Sequence, residues 1–156
     1  MRKLGKMISA LFIIGIMGSS MTLTAFAAKA SISSISIRVG TDVEAGDYLP
    51  DRPSYTNETT STQTGTYAAA SSNKYTIDDV AWSASSATER ELSSGDEPKM
   101  VITLQSSYYT VGEKEYIFRG SYSSSNVSIK GGTFVSARIR ESGDVLEVTV
   151  KLNGIK

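Results

Sequence analysis

The 156-residue chain contains no histidine and no cysteine, and its 16 basic and 16 acidic side chains cancel. Without histidine, the serine–histidine triad, the commonest general base and most zinc, copper and iron sites are out of reach. Without cysteine there is no disulfide, thiol nucleophile or lipid-modified N-terminal cysteine, so an exported fold has to rest on its core alone.

The first element is a positive start, Arg2, Lys3 and Lys6, with no acid nearby. An apolar run, Met7 to Met17, follows; Gly18-Ser19-Ser20 breaks it, and the segment closes on Ala25-Phe26-Ala27. Small residues at Ala25 and Ala27 fit the two shallow pockets of a signal peptidase, which places cleavage before Ala28. A membrane anchor is the rival reading. The run of eleven residues from Met7 spans about 16 Å as a helix, half of a ~30 Å hydrocarbon core. Residues 1–27 are therefore expected to be a cleaved signal peptide. Residues 28–156 are expected to be secreted or extracellular, at most loosely held at the cell envelope, with no stable membrane insertion after cleavage.

That cleavage leaves 129 residues carrying 13 basic and 16 acidic side chains, a net charge of −3. This length suits one domain. The basic residues are scattered, and an acidic domain without a basic run is a poor partner for nucleic acid or an anionic membrane.

Ile35, Ile37 and Val39 alternate as in a half-buried strand, and Ile32 precedes them. Gly46-Asp47 marks a turn, and Pro50 and Pro53 bar regular helix. Residues 54–73 are dominated by Ser, Thr and Ala, with no branched aliphatic, and read as a flexible loop unable to offset its ordering entropy. Tyr75, Ile77 and then Val80, Trp82 form two alternating pieces interrupted at Asp78-Asp79, which predicts a bulge. Met100 to Leu104 is a compact strand. Tyr108-Tyr109, Tyr116 to Phe118, Val127 to Ile129 and Phe134 to Arg140 are shorter or weaker candidates. The alternation of Leu146, Val148, Val150 and Leu152 is the clearest in the chain. About seven or eight short strands between Gly-Asp, Gly-Gly and Pro turns predict a single all-β, two-sheet sandwich.

Four pieces carry a resemblance: Ile35-Ser36-Ile37 with Glu44-Ala45-Gly46-Asp47 and Pro50; Tyr75, Ile77, Val80 and Trp82; Gly95-Asp96 with Pro98-Lys99, Val101 and Thr103-Leu104; and Phe134 to Ala137 with Leu146, Val148, Thr149, Val150 and Leu152. In this order they resemble a secreted clostridial-type immunoglobulin-like β-sandwich module, of the kind found ahead of choline-binding-like cell-wall repeats. The resemblance covers most of residues 31–152 outside the Ser/Thr segment. It implies an immunoglobulin-like fold and an envelope or extracellular location in a Gram-positive bacterium. It carries over no catalytic residue. No aromatic-rich repeat follows Leu152, so it supplies no wall attachment through such repeats.

Trp82 invites comparison with a sugar-stacking platform, but its place on an alternating strand favours the core. Tyr108 and Tyr109 point to opposite faces of a strand, and Tyr48 lies by a turn; these three are the candidate ligand-contact aromatics. Two acidic groups, Asp42, Glu44, Asp47, Asp51 and Glu89, Glu91, Asp96, Glu97, lack the spacing of a calcium loop and read as solvated turn carboxylates. No catalytic, cofactor or metal residue is assigned. The expected function is a non-enzymatic interaction or structural module at the envelope, its partner an extracellular protein or glycan. The alternative is a carbohydrate-binding domain using exposed aromatics.

Overall fold

The computed structural model describes residues 28–58, 62–86, 88–109 and 114–156; the signal-peptide reading, with Ala25 and Ala27, lies outside these residues, and Ala28 is exposed. Leu146, Val148, Val150 and Leu152 all turn inward from strand β11 (Val145–Leu152), each no more than 1 % exposed. Their partners lie on β6 (Lys99–Ser106), whose Met100, Ile102 and Leu104 are equally buried. Beyond these stand β5 (Tyr75–Trp82) and, on the other side, β10 (Gly132–Arg140). The antiparallel order is β10-β11-β6-β5. Registration produces apolar rows that cross all four strands: Ile139, Leu146, Leu104, Ile77 in one, Ala137, Val148, Ile102, Val80 in the next. The predicted interruption of β5 is a register shift between Ile77 and Asp79. A second shift, between Phe134 and Ser136, turns Val135 out to solvent.

The facing sheet is mixed. β2 (Ile35–Gly40) is parallel to β9 (Val127–Lys130) and antiparallel to β4 (Tyr67–Ala69), which is parallel to β3 (Ser54–Thr56). Ile35, Ile37, Val39, Ala68, Ala70 and Val127 share one core with the first sheet. A small third sheet, β1 (Ala30–Ile32) parallel to β8 (Lys114–Phe118) and β8 antiparallel to β7 (Tyr108–Tyr109), adds Ile32 and Phe118 to that core. The described residues are thus all-β, with no α-helix, and their sheets share one core as in a β-sandwich. Among the described residues there are eleven strands, more than the expected seven or eight because β1, β3, β4 and β7 are only two or three residues long.

The reading of 54–73 as a flexible loop is corrected where the segment is ordered: it supplies β3 and β4, and Ala68, Ala69 and Ala70 are buried; residues 59–61 lie outside the described residues. Small side chains fill the narrow space beside β2, and the backbone bonds of the sheet hold the segment without branched aliphatics. Thr66, also buried, shares a 2.8 Å hydroxyl–hydroxyl bond with Thr41.

Two contacts tie the layers. The Tyr75 hydroxyl accepts from the Ser36 N–H at 2.9 Å and donates to the Ser36 carbonyl at 3.3 Å. At Gly131, between β9 and β10, φ is +90° and a Cβ would fall 2.0 Å from the Val39 carbonyl oxygen, so only glycine lets the chain cross here.

Candidate functional site

A second apolar cluster, Leu49, Leu92 and Ile155, closes one end of the molecule, with Val43 and Trp82 packed on it. Three segments meet there because their backbones bond to one another. Leu92 N–H donates to the Asp47 carbonyl and Gly46 N–H to the Leu92 carbonyl, both at 2.8 Å. The last residues join them: Ile155 N–H donates to the Asp96 carbonyl at 2.9 Å, and Ala45 N–H to the Lys156 carbonyl at 3.0 Å. Ile155 is the apolar plug that seats this tail.

Tyr48 stands on that frame. Its backbone forms an isolated antiparallel bridge with Glu91, while the residue is 55 % exposed, the most exposed large apolar one among the described residues. The next residue, Leu49, points the other way, into the cluster. Alternation thus fixes the Tyr48 ring outward on a bonded backbone.

Leu49 also lines a shallow cleft of about 260 Å³ with Ser86, Arg90, Leu92, Asp96 and Pro98. Arg90 Nη1 meets Asp96 Oδ2 at 2.7 Å, and the same oxygen accepts from the Ser93 N–H at 2.8 Å. The guanidinium, then the backbone donor, hold the Asp96 carboxyl below the usual carboxylate range, and Asp96 in turn raises Arg90. An acid held this way stays ionised and does not donate a proton near neutrality.

Trp82 is neither buried core nor open platform. It is half-buried between the two clusters, and its indole N–H donates to the Pro50 carbonyl at 2.7 Å. Tyr108 and Tyr109 sit on β7 opposite Glu115 and Lys114, but their side chains lie outside the described residues. Of the three candidate aromatics, Tyr48 is the one with a described side chain. The acidic turns cap backbone, as where Asp47 Oδ2 accepts from the Glu44 N–H at 3.0 Å. Among the described residues no cluster of three carboxylates is placed to hold a metal ion.

Sequence reasoning missed Arg90 and the seating of the tail by Ile155. Neither leaves a local signal, because both act through partners on other segments. No family model, curated protein or solved structure matches this chain. Among the described residues no helix is long and apolar enough to cross a membrane.

Proposed function

We propose that residues 28–156 form a secreted, non-enzymatic β-sandwich of immunoglobulin-like type that serves as an interaction or structural module at the bacterial cell envelope. The observation that carries this reading is Tyr48: a large ring exposed on a backbone bonded to Glu91. A tyrosine held in this way offers amphipathic contact area with little ordering cost on binding. In the separate cleft lined by Leu49, the Asp96 carboxyl is already engaged by Arg90 and the Ser93 N–H. Export is supported by the basic, apolar and small-residue succession of residues 1–27.

Glycan binding is the second reading, favoured by the exposure of the Tyr48 ring, since an aromatic face suits pyranose C–H groups.

Fractionation of a producing culture tests the export half. The proposal expects protein with the mass of residues 28–156 in the medium and the envelope fraction. Uncleaved chain confined to the cytoplasm would overturn it.

A further inference from the structure

The strands of the β3-β4-β2-β9 sheet carry basic side chains and no acidic one. They hold Arg38 and Lys130; the nearest acids along the chain, Asp42 and Glu58, lie beyond the ends of β2 and β3. Parallel pairing makes Arg38 and Lys130 register partners. Arg38 and Lys130 thus sit side by side on neighbouring strands. The Arg38 guanidinium lies 5.8 Å from the centre of the Tyr67 ring, which orients its plane.

One row along, Ser36 and Ser128 are also register partners, and they open into a cleft of about 490 Å³ walled by Ser71, Ser72, Lys74 and Asn126. The buried hydroxyl of Tyr75 lies at its floor. The lining contains one cation and no carboxylate. Among the described residues Lys74 and Lys130 enter no ion pair.

We propose that this face binds an anionic polysaccharide. Arg38, Lys130 and Lys74 meet its acid groups, and the serine hydroxyls of the cleft meet its sugar hydroxyls. Serine hydroxyls both donate and accept, as sugar hydroxyls do. A guanidinium oriented by an aromatic ring suits a planar carboxylate. Residues 28–156 carry −3 overall, so a polyanion is repelled by the molecule at large and attracted at this sheet. The site lies outside the Tyr48 frame, and its failure would leave the Tyr48 reading untouched.

The test is retention of the purified protein, as recovered from its producing culture, on immobilised polygalacturonate, dextran and polyphosphate. Expected is salt-sensitive retention on polygalacturonate, weaker on polyphosphate and absent on dextran. Lys130→Gln and Lys74→Gln, both at exposed side chains, each weaken it about two- to fivefold. Arg138→Gln makes the same charge change on the outer face of the opposite sheet and leaves retention unaltered. Absence of retention on polygalacturonate, equal retention on polyphosphate, or an equal loss with Arg138→Gln would overturn the proposal.

Discussion

The side-chain amide of Asn57 pairs with both backbone groups of Ile77: Nδ2 donates to the carbonyl at 3.1 Å, and Oδ1 accepts from the N–H at 2.6 Å. Ile77 is on β5, the edge strand of its sheet, immediately before the bulge. Asn57 therefore does what a neighbouring strand would do, and does it where β5 lacks one. Arg52 continues the cover, its Nε donating to the Val80 carbonyl at 3.1 Å and its guanidinium pairing with Asp79. An edge satisfied by side chains offers no template for pairing with another chain.

Asn57→Ala removes both bonds and leaves two backbone groups at a strand edge. The expected loss is about 1–3 kcal/mol, read as a lower urea midpoint at unchanged slope. Asn57→Asp keeps the acceptor and loses the donor, so its loss is smaller. An unchanged midpoint for Asn57→Ala would show that water replaces the amide without cost.

Ile102 and Leu146 are fully buried in the common core. Truncation of either to alanine costs about 2–5 kcal/mol. Domains of this kind hold roughly 5–15 kcal/mol in all, and this one has no disulfide to constrain its unfolded chain. Thermal unfolding of the two variants checks it.

That core was legible because its strands repeat with period two: Leu146 to Leu152, Met100 to Leu104 and Ile35 to Val39 all lie where their alternation puts them. The bulge at Asp78-Asp79 was legible for the same reason, as a break in phase. The one at Val135 was not, because Phe134-Val135 reads as continuous apolar sequence and only the pairing with β11 reveals the extra residue. β4 was misread because alanine carries little apolar signal, though a narrow gap between packed elements selects it. The exposure of Tyr48 is legible from its place by a turn. The basic sheet face was hidden, since Arg38 and Lys130 are far apart in sequence and meet through parallel pairing.

Burial raises the Tyr75 hydroxyl above its ordinary value, against the lowering effect of its bonds to Ser36 and Ser72. Burial raises Tyr122 as well, a smaller opposing effect coming from the Arg119 backbone. Each ionises more readily in the unfolded chain. The stability they contribute is complete below about pH 10 and falls as pH climbs through the raised folded values. Urea midpoints are expected to drop as pH rises above about 10, and Tyr75→Phe to flatten that drop while lowering stability at neutral pH. An equally steep drop in Tyr75→Phe would assign the alkaline loss elsewhere.

Ile155 seats the C-terminal tail that bonds the Ala45 and Gly95 backbones. Ile155→Ala is expected to cost about 2 kcal/mol, toward the low end for a buried aliphatic because the cluster is small. Amide exchange reads the effect locally: protection at Ala45, Gly46 and Leu92 falls while that of β6 and β11 persists at native stability. Uniform loss across both sheets would show that the two clusters unfold as one.

The proposed interaction role rests on the fixed, outward ring of Tyr48. It is tested by co-sedimentation of the native protein and Tyr48→Ala with isolated cell envelopes, at equal concentration and with folding checked by circular dichroism. The native protein is expected to sediment with the envelopes and Tyr48→Ala to lose about tenfold in affinity, the 1–2 kcal/mol of an aromatic anchor. Equal sedimentation of the two proteins, or none by either, would contradict it.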